Sequence, residues 1–121
     1  YREALYCLKE GIASAEDIDL AVKGSYGFRL PTLGPLETSD FGGLATYLHI
    51  AEYLFKEIDR STEPPEFLRE KVRQGKLGVK TGEGFFRYTS EEAEKKIKER
   101  DRQFLQRLKC LYFGKTGKED C

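Results

Sequence analysis

The feature that most constrains the fold is a stripe of large apolar residues between Leu44 and Ile58. Its members recur at spacings of three and four residues, which places them on one face of an α-helix about 22 Å long. They are Leu44, Tyr47, Leu48, Ala51, Leu54, Phe55 and Ile58. A strand would require alternation with a period of two. The stripe therefore predicts an amphipathic helix, whose apolar face is covered either within one subunit or by a second copy of the chain.

Glycine, proline and capping residues divide the remaining sequence into further helices. Ser14 predicts one helix start, and Thr89 with Glu92 forms a capping box at another. We expect helices over about 1–10, 15–23, 35–41, 44–58, 64–74 and 90–112. Residues 24–36 read as an apolar loop packed against another surface. The predicted fold class is all-α, with about six helices and no paired strands.

Length and charge narrow the class of protein. A compact chain of 13.9 kDa exposes about 6,700 Å², so we expect residues 1–121 to bury a core of their own. Lys plus Arg and Asp plus Glu are both 21, which disfavours a nucleic-acid-binding surface. No stretch approaches the roughly 20 apolar residues of a membrane span. Three cysteines without a short spacing favour a reduced, cytoplasmic compartment and no metal site.

Residues 75–88 combine four glycines, two lysines and a closing aromatic run. Glycines in this number predict bends with positive φ or close backbone approach. Glycine amides and lysine charge also suit an anion, so residues 75–84 are either a phosphate-binding turn or an ordered structural turn.

No catalytic residue is predicted in this chain. His49 lies off the apolar stripe and is expected to be solvated. No G-x-G-x-x-G follows a predicted strand. The triplet at 114–116 resembles the end of a phosphate loop, but it lacks the leading glycine and the strand.

Three segments in order resemble the C-terminal domain of L-3-hydroxyacyl-CoA dehydrogenases. They are the first two helices with Glu3-Ala4-Leu5 and Glu16-Asp17-Ile18-Asp19, the run Gly27–Glu37 followed by Asp40 and Gly43-Leu44, and the run Gly75–Tyr88. The resemblance covers residues 1–88. Residues 89–121 form a C-terminal extension, expected to be one long charged helix with a frayed tail. Residue 1 is not Met, and its helix lacks a capping residue, so we expect a fragment cut inside a helix.

The resemblance implies a helical bundle like the C-terminal domain of 6-phosphogluconate dehydrogenase, joined to an N-terminal Rossmann domain and forming a homodimer. It also implies NAD-dependent oxidation of an L-3-hydroxyacyl-CoA in fatty-acid β-oxidation or butyryl-CoA metabolism. The family's catalytic His–Glu pair would belong to the missing domain, so the chain alone is expected to be inactive. Lys80 matches a family lysine that reaches NAD. A weaker implication places Phe28, Leu30, Pro31 and Pro35 at the substrate cleft.

Two other functions are compatible with the sequence. The chain could be a non-catalytic helical module that binds a protein partner through its long terminal helix. The same domain could also belong to a multifunctional β-oxidation protein. The Gly-Lys segment before Phe85 favours the dehydrogenase domain.

Overall fold

The computed structural model describes residues 1–113 and confirms an all-α chain. Six helices in this range have eight or more residues, and a seventh has four. They are α1 Arg2–Lys9, α2 Ala15–Gly24, α3 Tyr26–Arg29, α4 Pro35–Gly42, α5 Leu44–Glu57, α6 Glu66–Arg73 and α7 Ser90–Leu108. A 3-10 turn covers Val79–Thr81 and a π-helical turn Lys109–Phe113. The predicted frayed tail, the triplet 114–116 and Cys121 lie outside the described residues.

The chain folds as two compact units, Tyr1–Arg69 and Glu70 onward, with the boundary inside α6. In the first unit, Ser14 caps α2 by accepting a hydrogen bond from the Asp17 amide at 3.1 Å, as predicted. The Asp59 amide, beyond the end of α5, donates to the Glu3 carboxylate on α1 at 2.7 Å. This bond links two segments that are far apart in sequence.

The expectation that the chain buries a core of its own is wrong. Leu5 is the only buried hydrophobic side chain among the described residues. The chain exposes 10467 Å², whereas a compact domain of this mass exposes about 6,700 Å². The physical reason is that the helices direct their large apolar side chains outward. Within residues 1–113, most of these side chains stay exposed.

The apolar stripe of α5 is the largest part of that uncovered surface. Leu48 is 58% exposed and Phe55 is 66% exposed, so burial of the whole stripe within one subunit is ruled out for this structure. On α6, Val72 is 57% exposed, whereas Phe67 and Leu68 are half-buried. The helical spacing of these residues was predicted correctly. The spacing could not show which face of the helix other residues would cover.

The segment 24–36 also differs from its prediction as a packed loop. Residues Tyr26–Arg29 form the one-turn helix α3 directly after α2. A Cβ added at Gly27 would lie 2.6 Å from the Val22 carbonyl oxygen, so the glycine permits this close approach. Phe28 is nevertheless 78% exposed, because the turn presents its ring to solvent.

Helix α7 begins with the predicted capping box. The Thr89 hydroxyl accepts from the Glu92 amide at 3.2 Å, and the Glu92 carboxylate accepts from the Thr89 amide at 2.8 Å. Farther along, Glu99 accepts hydrogen bonds from Arg102 at 2.6 Å and Gln103 at 2.7 Å. These bonds, the one from Arg102 first, lower the pKa of Glu99 to about 2.

The lowered pKa of Glu99 makes α7 sensitive to acid. Its ionised carboxylate stabilises the folded helix above the ordinary pKa of 4.5, and this contribution is lost as the pH falls toward about 2. Carboxyl ¹³C NMR should therefore give Glu99 a midpoint near 2, and Arg102→Gln should raise it toward 4.5. Arg100→Gln is the control, because Arg100 pairs with Asp101. A Glu99 midpoint unchanged by Arg102→Gln would contradict the assignment.

Candidate functional site

The glycine–lysine segment 75–88 forms an ordered turn. Gly75, Gly78 and Gly82 have φ values of +73°, +98° and +78°, which confirms the predicted positive-φ bends. The Gly78 amide donates to the Glu83 carbonyl at 2.8 Å, and the Tyr88 amide donates to the Gly82 carbonyl at 2.8 Å. Main-chain bonds therefore close the segment on itself on both sides of Gly82.

The side chain of Thr81 joins three parts of this turn. Its hydroxyl oxygen accepts from the Leu77 amide at 2.9 Å and lies 3.2 Å from both the Gly78 and Glu83 carbonyl oxygens. The single hydroxyl proton can serve one of these carbonyls at a time. This role of Thr81 was not predictable from the sequence, since a threonine beside a glycine gives no periodic signal.

Most charged side chains of the segment have partners within it. Lys76 forms an ion pair with Glu83 at 2.9 Å, and Arg87 lies 3.9 Å from the same carboxylate. The hydrogen bond from Lys76 lowers the pKa of Glu83, and the positive charges of Lys76 and Arg87 add to this. Lys71 donates to the Gly84 carbonyl at 3.0 Å and lies 5.8 Å from the centre of the Phe85 ring. These contacts hold the ends of the turn.

Lys80 differs from these residues. It lies on the 3-10 turn, is exposed, and forms no side-chain hydrogen bond or ion pair within residues 1–113. Its ammonium group is therefore free to meet an external anion. Within residues 75–88, Lys76 and Arg87 add positive charge against the one carboxylate of Glu83. A primary ammonium on a basic glycine turn suits the pyrophosphate or ribose of a dinucleotide.

The four residues predicted at the substrate cleft lie together in the first unit. Phe28 is on α3, Leu30 caps its end, Pro31 follows, and Pro35 begins α4. All four are exposed. These residues thus form a short, exposed apolar segment. Their contact with a substrate stays a prediction.

His49 has the solvated position that the sequence predicted. It is exposed on α5, with Nδ1 lying 3.5 Å from the Glu52 carboxylate. A groove of about 350 Å³ lies beside α1, and none of the predicted site residues lines it. Within residues 1–113, no group of three or more His, Cys, Asp or Glu side chains could hold a metal ion. No helix in the same range is long and apolar enough to cross a membrane.

The described residues therefore combine an all-helical fold with an exposed lysine on a glycine-rich turn. Residues 1–88 match the family described as the C-terminal domain of 3-hydroxyacyl-CoA dehydrogenase, and the chain belongs to this family. The match covers the three segments on which the resemblance was based. It favours the dehydrogenase domain over a non-catalytic interaction module.

Curated relatives place the chain among dehydrogenases. It is 44% identical over 87 residues to a protein of Deinococcus radiodurans named probable 3-hydroxybutyryl-CoA dehydrogenase, covering 71% of this chain and 30% of the relative. It is 30% identical over 104 residues to 5-formyl-3-hydroxy-2-methylpyridine 4-carboxylate 5-dehydrogenase of Mesorhizobium japonicum, covering 86% of this chain and 34% of the relative. The chain thus spans about a third of the length of these relatives.

A solved structure extends the likeness beyond residue 88. The crystal structure of a 5-formyl-3-hydroxy-2-methylpyridine 4-carboxylic acid 5-dehydrogenase, described as an NAD⁺-dependent dismutase, matches with a TM-score of 0.88 and 29% identity. The match covers 91% of this chain and 36% of that chain. This coverage exceeds the range matched by the family, so part of the C-terminal extension is shared with that enzyme.

Proposed function

We propose that this chain is the helical dimerisation and substrate-cleft domain of an NAD-dependent L-3-hydroxyacyl-CoA dehydrogenase of fatty-acid or butyryl-CoA metabolism in the cytoplasm. The observation that carries the proposal is the match of residues 1–88 to this domain family. The 44% identity to a 3-hydroxybutyryl-CoA dehydrogenase favours an acyl-CoA substrate over a pyridine carboxylate, since the relative named for the latter is 30% identical. The Rossmann domain and its His–Glu pair would lie outside residues 1–121.

In this proposal, Lys80 supplies the chain's contact with the cofactor. When bound, NAD accepts the hydride that leaves C3 of the substrate. The chain's part is electrostatic: an exposed ammonium without an internal partner pays little desolvation cost before it meets an anion. The turn that contains Lys80 supports the contact, because hydrogen bonds fix the backbone from which the lysine side chain extends.

The apolar residues Phe28, Leu30, Pro31 and Pro35 would line the acyl side of the substrate cleft. Their exposure in this chain supports the assignment, because an acyl group can bury only side chains that are otherwise uncovered. Burial of such surface contributes about 25 cal/mol for each Å² removed from water.

The proposal also includes a homodimer, in which a second copy of the chain covers α5. The stripe of α5 supports it, since Leu44, Leu48 and Phe55 are all more than half exposed. A stable interface buries more than about 1,000 Å² with apolar side chains at its centre. A two-fold pair of α5 stripes would supply such a centre, because one surface can cover itself in a symmetric dimer.

The activity of the complete protein tests the enzyme class. Protein that includes the upstream region should oxidise NADH with acetoacetyl-CoA, whereas residues 1–121 alone should not, because the hydride acceptor site and general base are assigned elsewhere. The measurement is NADH absorbance at 340 nm with a buffer control. Activity of the 121-residue chain that His49→Ala abolishes would show that the catalytic centre was misplaced. A complete protein inactive on acetoacetyl-CoA but active on the pyridine carboxylate would contradict the substrate class.

The cofactor contact of Lys80 is tested by substitution. In the complete protein, Lys80→Ala should weaken NADH binding by about 1–2 kcal/mol, the scale of one charge-assisted hydrogen bond. The melting temperature should change little, because Lys80 is exposed and unpaired. Calorimetric titration with NADH measures the effect, with Lys95→Ala on α7 as a control. An unchanged dissociation constant together with a lower melting temperature would make Lys80 structural.

The dimer is tested on α5 itself. Leu48→Glu should shift the complete protein from dimer to monomer, because the interface would have to bury a carboxylate without a partner. Light scattering at high micromolar concentration reports the mass. Thr46→Glu introduces the same carboxylate on the polar side of α5 and should leave the dimer intact. A wild-type protein that is monomeric at this concentration would contradict the proposed interface.

A further inference from the structure

Among residues 1–113, no side chain is bonded to Lys80, so the backbone of its turn determines where the lysine side chain begins and the region that its ammonium group can reach. Two groups of contacts hold that backbone. The Thr81 amide donates to the Gly78 carbonyl at 3.0 Å, and the Gly78 amide donates to the Glu83 carbonyl at 2.8 Å. The Thr81 hydroxyl adds the contacts that cross the turn.

The hydroxyl of Thr81 links both sides of the turn through one atom. It accepts from the Leu77 amide at 2.9 Å on the entering side, and it lies within 3.2 Å of the Glu83 carbonyl on the leaving side. Lys80 lies between these two attachment points. A β-branched residue has a restricted χ1, so the hydroxyl is directed into the turn at little further entropic cost.

The glycines at both edges of the turn make the side-chain contact important beside these main-chain bonds. Gly78 and Gly82 have positive φ values, and a glycine gives the backbone more freedom than any other residue. A turn bounded by two such positions needs a fixed contact inside it to present one conformation. The Thr81 hydroxyl is the side-chain contact that bridges Leu77 to Glu83.

We infer that Thr81 is a positioning residue, whose hydroxyl holds the 77–83 turn so that Lys80 is presented in one place to an anionic dinucleotide. The inference rests on the proposed function, because it assigns Thr81 a role through the Lys80 contact. Thr81 itself touches no cofactor in this assignment.

The test is a double-mutant cycle in the complete protein, with NADH as the titrant. Thr81→Val keeps the shape and removes the hydroxyl, while Thr81→Ser keeps the hydroxyl. Thr81→Val should weaken NADH binding several-fold, Thr81→Ser should bind as the wild type does, and Thr81→Val should have no further effect when Lys80 is already alanine. Hydrogen exchange of the 77–83 amides without NADH should accelerate in Thr81→Val and not in Thr81→Ser.

The outcomes separate this inference from the function on which it rests. Wild-type NADH affinity in Thr81→Val, with weakened binding in Lys80→Ala, would overturn the positioning role and leave the cofactor contact in place. Equal weakening by Thr81→Val with and without Lys80 would also overturn it, because the effect would not pass through the lysine. Unchanged affinity in Lys80→Ala would overturn the cofactor contact and this inference with it. Weakened binding by Thr81→Ser, with slow amide exchange retained, would show that the methyl group and not the hydroxyl matters.

Discussion

The uncovered apolar face of α5 is the constraint on which the rest of this structure depends. A helix with large side chains such as Leu48 and Phe55 in water gains about 25 cal/mol for each Å² of apolar surface it can bury. Within the described residues the chain buries only Leu5 among its hydrophobic side chains. Large apolar side chains on several of the described helices therefore remain exposed, and the proposed dimer would cover those of α5.

Local interactions nevertheless specify most of the secondary structure. Ser14 and Thr89 cap α2 and α7 with the predicted side-chain bonds. Gly43 separates α4, which ends at Gly42, from α5 where the sequence predicted a break. These features were predictable because a cap or a glycine break involves residues within a few positions of one another. The same is true of the positive φ values at Gly78 and Gly82.

The burial of apolar side chains, in contrast, was not predictable from the sequence. A helical period states which residues share a face, and it does not state whether the same chain covers that face. The predictions of a core and of a packed loop before Pro35 were wrong for this reason, because no other part of residues 1–113 covers those apolar side chains. The contacts of Thr81 and the ion pair of Lys76 with Glu83 were missed because side-chain geometry in an irregular turn has no sequence period. The exposure of Lys80 could be predicted, since a polar residue among turn glycines is seldom buried.

The proposed function joins the family match and the uncovered helix in one account, in which a second copy covers α5 and Lys80 reaches a cofactor that another domain would hold. The most direct test is hydrogen exchange of the α5 amides in the 121-residue chain, measured across a concentration series. The account predicts that protection of α5 increases with concentration, while the capped start of α7 stays constant. Equal protection of α5 at every concentration, in a chain that remains monomeric, would contradict the claim that a second copy covers this helix.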